Sequence, residues 1–109
     1  MDRGVGTTFE VLAEPNRRAI LDLLRERPRP VGELVEALAT SQPNTSRHLR
    51  VLREAGLVKV RVDAQRRWYE VDPGGLAALE AWLAPYRAQW GARLDALAAH
   101  LDDGSDRRG

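Results

Sequence analysis

The chain contains no cysteine, which excludes a disulfide framework, a thiolate metal site and a cysteine nucleophile. Aromatics are scarce: three Trp, two Tyr and one Phe. Lysine occurs once, at Lys59. No apolar run approaches the roughly 18 residues needed to cross a bilayer, so no membrane partner is expected. The opening residues MDRGVGTTFEV carry no apolar stretch of the secretory kind, and the expectation is a cytoplasmic protein. Phosphate-binding glycine loops are missing too, because neither Gly4-Val5-Gly6 nor Gly74-Gly75 leads into Lys-Ser/Thr. His48 and His100 have no Ser or Asp partners at catalytic spacing. Ser46 and His48 are two residues apart and point about 200° from each other on a helix. An enzyme is not expected, and no cofactor is implied.

What is present is a 109-residue chain, 43% hydrophobic and 30% charged, a length and composition that suit one globular domain. The net charge of +1 hides an asymmetry. Residues 41–70 hold Arg47, Arg50, Arg53, Lys59, Arg61, Arg66 and Arg67 against only Glu54, Asp63 and Glu70. A basic block inside an otherwise acidic chain suits a phosphate-facing surface, although a solvated face would show the same scatter.

Periodicity divides the chain. Residues 1–7 and 103–109 are polar or Gly-rich and are expected to be flexible tails. Thr8 caps a short helical turn through Ala13 that buries Phe9 and Leu12. Pro15 suits the first turn of a second helix, in which Ala19, Ile20, Leu23 and Leu24 share a stripe. Pro28 and Pro30 end it. Val31, Leu34, Val35 and Leu38 form the stripe of a third helix. Ser41 is a good N-cap for a fourth, with Pro43 in its first turn and Gly56 as its stop. The period then changes to two. Val58, Val60 and Val62, then Arg67, Tyr69 and Val71, alternate about Asp63-Ala64-Gln65, which predicts a hairpin of open turn type. From Pro73 the helical period returns at Leu76, Leu79, Leu83, Tyr86, Trp90, Leu94, Leu97 and Leu101. Pro85 predicts a kink or break in that helix.

The predicted fold is mainly α with a small β-hairpin: a winged helix-turn-helix over residues 8–72 and a long C-terminal dimerisation helix over residues 73–102. At about 100° per residue, Thr45, Leu49 and Leu52 cluster on the inward side of the fourth helix. Gln42, Ser46 and Arg47 then occupy the exposed N-terminal half, the end that meets base edges in a major groove. Arg50 and Arg53 are placed for phosphates, and Asn44 is placed to cap the helix or touch a phosphate. Arg61, Gln65, Arg66 and Arg67 gather towards the hairpin tip, where a wing straddles phosphates or enters the minor groove. Double-stranded DNA is therefore the expected partner. A winged helix used only for protein contacts is the alternative.

The stretches FEVLAEPNRRAILDLL, VGELVEAL, SQPNTSRHLRVLREAGLV and RRWYEV resemble the ArsR/SmtB family of bacterial winged-helix repressors, from about Phe9 to Val71. The resemblance implies a homodimer that represses transcription by occupying an inverted repeat. It also implies base or backbone contacts from Gln42, Pro43, Ser46 and Arg47, with wing contacts from Arg66 and Arg67. His48 matches a family position, but its angle turns it partly toward the core. The family's thiolate metal site resembles E-L-C-x-C-D-L. Here Val35 and Ala37 stand at the two cysteine positions, and His100 alone gives no ligand spacing. No metal is expected, and the C-terminal segment looks like a metal-free branch of the family. Its apolar seam is too long for one small core, which suggests pairing across a two-fold axis. Phe9, Leu12, Leu79, Trp82, Leu83, Tyr86, Trp90, Leu94 and Leu97 are the expected dimer contacts. Trp82, Tyr86 and Trp90 either belong to that interface or line a pocket for a small-molecule effector.

Overall fold

In the computed structural model the backbone is described for residues 3–108 and the side chains for residues 6–101. The chain divides into two compact units, residues 1–79 and 80–109. The first holds helices α1 (Arg3–Leu12), α2 (Pro15–Glu26), α3 (Val31–Leu38) and α4 (Gln42–Glu54). They are followed by strands β1 (Val58–Asp63) and β2 (Arg66–Val71) and a 3-10 turn, Pro73–Leu76. Helix α5 (Ala77–Arg108) begins in the first unit and makes up the second.

Local chemistry sets each boundary. Glu14 caps α2 by accepting the Asn16 N–H at 2.8 Å, with Pro15 in the first turn. Arg18 reaches back to the Leu12 carbonyl at 2.6 Å and satisfies an acceptor at the end of α1. Helix α3 ends at Ala39, which adopts φ 54, ψ 42. Ser41 caps α4 by accepting the Asn44 N–H at 3.2 Å. Gly56, at φ +78, terminates that helix in the left-handed region.

The core of the first unit is Val11, Ile20, Leu24, Leu34, Leu49, Leu52, Leu57 and Val58, all buried. Fully burying such side chains contributes about 1.5–3 kcal/mol each. Thr45 lies among them, its hydroxyl donating to the Ser41 carbonyl at 3.0 Å. The inward positions expected for α4 are therefore the observed ones.

Helix α1 differs from expectation. It is helical from Arg3, inside the segment read as a tail, and its inward positions are Thr8 and Val11. Phe9 is 44% exposed and Leu12 only half-buried, because an α-helix spaces its inward residues three or four apart. Met1, Asp2 and Gly109 lie outside the described residues. At the other end α5 runs through Pro85 to Arg108, with neither the expected break nor an end at residue 102.

Strands β1 and β2 pair antiparallel from Val58↔Val71 to Asp63↔Arg66 around a two-residue loop, Ala64-Gln65. Ala64 has φ 59. A positive φ at the first loop residue alone is the type II′ pattern, which normally favours glycine there. Arg29 adds an isolated bridge to Tyr69 on the other side of β2. The strand pattern thus continues into the Pro28-Arg29-Pro30 corner, which sequence reading takes only as a helix stop.

Beyond β2, the Asp72 N–H donates to the Leu57 carbonyl at 2.9 Å. Gly75 packs so closely on the backbone at Gly56 that a β-carbon there would overlap the Gly56 carbonyl. This contact seats the 3-10 turn at the end of α4. The compact unit therefore continues to Leu79, beyond the boundary at residue 72 expected from periodicity.

Candidate nucleic-acid interface

Helix α4 presents Gln42, Pro43, Ser46, Arg47, Arg50 and Arg53 on its exposed surface. Pro43, Ser46, Arg47 and Arg50 line one shallow depression. The buried Thr45, Leu49 and Leu52 anchor the opposite side, so the polar face is fixed by packing. His48 is half-buried at its edge. Asn44 is also half-buried, and its amide donates to the Thr40 hydroxyl at 3.0 Å. That bond braces the turn before α4, a role that spacing alone does not reveal.

The hairpin register divides the wing residues between two faces. Arg67 pairs with Val62 on the face that continues, toward the root, into Tyr69, Val60, Val71 and Val58. Arg66, Trp68 and Arg61 occupy the other face. Arg66 lies over the Trp68 ring at 5.6 Å, a cation–π contact that limits its freedom. Gln65 is exposed at the loop, and Val62 is an exposed apolar residue beside it. Arg61 is engaged, with Nε 3.3 Å from Glu70 and its guanidinium 3.9 Å from Asp63.

Ion pairs engage some of the described arginines and leave others, Arg17, Arg18, Arg25 and Arg93 outside α4 and the wing among them, without one. Arg27, Arg29, Arg61 and Arg87 are held in ion pairs with Glu33, Glu26, Glu70 and Glu80, respectively. Among the described residues, no ion pair engages Arg47, Arg50, Arg53, Arg66 or Arg67. Uncompensated arginines on one helix and the adjoining wing form a surface that can take an anionic backbone. Among the described residues, no group of three or more His, Asp and Glu is placed to hold a metal ion. No described helix is long and apolar enough to cross a membrane.

Residues 14–60 match the family model for the bacterial regulatory protein, arsR family. The chain is 39% identical over 104 residues to the HTH-type transcriptional regulator Rv2034 of Mycobacterium tuberculosis, covering 95% of this chain and 94% of that protein. The chain belongs to the ArsR family. It is a transcriptional regulator with a winged helix-turn-helix DNA-binding domain, and its relatives are regulators, not enzymes. The fold is similar to the crystal structure of an ArsR family transcriptional regulator, RHA00566, with a TM-score of 0.71 and 27% identity over 84% of this chain and 94% of that one. It is also similar to the homodimeric winged helix-turn-helix DNA-binding domain of Mb0332 from Mycobacterium bovis, with a TM-score of 0.63 and 28% identity. That match covers 79% of this chain and 80% of the other. Within this ArsR-family frame, α3 and α4 are the helix-turn-helix and the β1–β2 hairpin is the wing.

Proposed function

We propose that this ArsR-family chain is a cytoplasmic bacterial repressor that acts as a homodimer on an inverted-repeat operator, with its own promoter the first operator to test. The observation that carries the reading is the clustering of arginines without ion pairs, Arg47, Arg50, Arg53, Arg66 and Arg67, on α4 and the adjoining wing. The N-terminal half of α4 enters the major groove. There Arg47 suits guanine O6/N7, and Gln42 suits adenine N6/N7. Ser46 and Pro43 complete that contact, while Arg50 and Arg53 hold phosphates. The wing adds Gln65, Arg66 and Arg67. Arg61 is a lesser contact because Glu70 and Asp63 already offset its charge, and Asn44 contributes by bracing the turn.

Dimerisation is supported by α5. Trp82, Tyr86, Trp90, Leu94, Leu97 and Leu101 are each between 43% and 61% exposed in the single chain. An apolar seam of this length is costly in water and is relieved by a second copy. Leu79 and Leu83 are half-buried, and Phe9 and Leu12 offer further apolar area on α1. The Trp82 and Tyr86 rings pack at a 39° tilt with centroids 4.8 Å apart, and Tyr86, Trp90 and Leu94 line an apolar depression. The same depression is where a small-molecule effector would act, if one regulates the dimer. In that dimer the recognition helices stand about one helical turn, ~34 Å, apart.

The test is an anisotropy titration against the upstream intergenic DNA and a scrambled duplex at several salt concentrations, with the mass of the complex measured in parallel. Tight, sequence-dependent binding by two chains with a steep salt slope supports the reading. Absence of binding to either duplex at low salt puts a protein-interaction role first.

A further inference from the structure

A second basic feature adjoins the reading face and shares Arg50 with it. The C-terminal half of α4 and the root of β1 enclose a cleft of about 580 Å³, lined by Arg50, Arg53, Glu54, Val58, Lys59 and Asp72, among others. Arg50 and Arg53 are three residues apart and share a helix face. Lys59 rises from β1 and is exposed. Its cross-strand neighbour is Glu70, but that carboxylate accepts from Arg61. Asp72 accepts the Gly74 N–H at 3.1 Å and keeps its negative charge in the cleft. Among the described residues no ion pair holds Arg50, Arg53 or Lys59. Three cations thus share one cleft with two carboxylates, Glu54 and Asp72, which leaves a surplus of one positive charge. That surplus favours an anion whose oxygens several cationic donors can reach at once.

We propose that this cleft holds a phosphate group, with Lys59 as the third cation beside Arg50 and Arg53. Lys59 belongs to the basic block of residues 41–70, but neither spacing nor family resemblance marks it as an individual DNA contact. The phosphate comes either from the backbone of the bound duplex, which rests on the DNA-binding reading above, or from a free phosphate compound. In the first case the recognition helix and the wing root clamp one backbone position and add affinity without sequence preference.

The experiment compares wild type, Lys59→Gln and Lys59→Arg, with Arg25→Gln on α2 as a control outside the cleft. Anisotropy is followed over a salt series with the operator-bearing and scrambled duplexes. Thermal unfolding is followed with and without millimolar inorganic pyrophosphate. A duplex phosphate is supported if Lys59→Gln makes the log–log salt slope shallower by about 0.9 on both duplexes while Lys59→Arg and Arg25→Gln do not. A free phosphate is supported if the slope stays constant but pyrophosphate raises the melting temperature of wild type and Lys59→Arg, not of Lys59→Gln. If Lys59→Gln changes neither the slope nor the pyrophosphate shift, the proposal is overturned. A wild type that binds no duplex at any salt defeats the repressor reading instead, and the pyrophosphate shift then decides the cleft by itself.

Discussion

Arg29 and Tyr69 exchange both of their backbone hydrogen bonds, at 3.0 and 2.9 Å, and so stitch the wing to the corner between α2 and α3. The Arg29 side chain is only 12% exposed. Its Nε donates to the Leu23 carbonyl at 3.0 Å, and its guanidinium reaches Glu26 at 2.8 Å and Glu33 at 3.5 Å. One residue therefore orients the hairpin, closes the end of α2 and gathers the first turn of α3. Arg29→Ala keeps the backbone bridge but leaves the Leu23 carbonyl and Glu26 without their charged donor, while Glu33 retains Arg27 at 2.7 Å. The expected loss is about 2 kcal/mol, since charge-assisted bonds contribute more than neutral ones. Urea unfolding of the variant checks this, and an unchanged midpoint would show the side chain to be dispensable.

The α4 face was legible because three inward anchors, Thr45, Leu49 and Leu52, repeat at helical spacing and leave the basic residues no other side. The hairpin was legible because three valines alternate with charges. Other features depend on contacts remote in sequence. Nothing local in Pro28-Arg29-Pro30 shows that Arg29 meets Tyr69, forty positions on. Asn44 and Arg61 carry the right chemistry for phosphate, but Thr40, Glu70 and Asp63 reach them first. The adjacent Gly74-Gly75 was the one available signal for close backbone approach. In α1, the choice between Phe9 and Val11 as the inward residue turned on where the helix begins.

Ala39 at φ 54 and Ala64 at φ 59 occupy the left-handed region, where a β-carbon costs about 1–2 kcal/mol. Glycine removes that strain but adds about 0.4–1 kcal/mol of unfolded-state entropy. Ala39→Gly, at the end of α3, is expected to gain roughly 0.5–1 kcal/mol on the balance of these terms. Ala64→Gly has the same sign. Denaturation midpoints report both, and a lower midpoint for Ala39→Gly would mean its methyl packs usefully.

Two glycines should respond in opposite directions to the same substitution. Gly75→Ala drives a methyl into the Gly56 carbonyl, backbone that cannot rotate away. The loss is expected to reach about 2 kcal/mol or more, in the range of overpacking. Gly32 lies in α3 with nothing within 4 Å of an added β-carbon. Gly32→Ala is expected to gain up to about 1 kcal/mol of helix propensity. Parallel melts of the two variants test the contrast.

Glu33 gives the fold an acid-sensitive contact. The hydrogen bond from Arg27 holds its carboxyl below the ordinary glutamate value, with the Arg27 and Arg29 charges acting in the same direction against partial desolvation. A folded-state value below the unfolded one means that the contribution is present above the unfolded value of 4.5. It is lost as pH falls through the lower folded value. Glu33→Gln should therefore be less stable than wild type at neutral pH, and the gap should close under acid. Urea midpoints from pH 7 to about pH 3 follow this directly. A gap that widened toward acid would reverse the assignment.

The arginines separate by what each can read. Arg47 stands in the N-terminal half of α4, so Arg47→Ala is expected to cost about 1–3 kcal/mol on the operator and to relax preference at one base pair. Arg66 and Arg67 lie on opposite faces of the wing, and Arg66 is preset by the Trp68 ring. Loss of either should weaken operator and scrambled DNA alike and reduce the salt slope by about 1. Trp68→Leu should reproduce part of the Arg66→Ala effect, and Arg66→Ala in that background should then cost less. Arg61→Ala should change the slope least, because its charge is shared with Glu70 and Asp63. A salt series on both duplexes distinguishes these outcomes. If Arg47→Ala weakened operator and scrambled DNA equally, Arg47 would be a phosphate contact, and base reading would fall to Gln42 and Ser46.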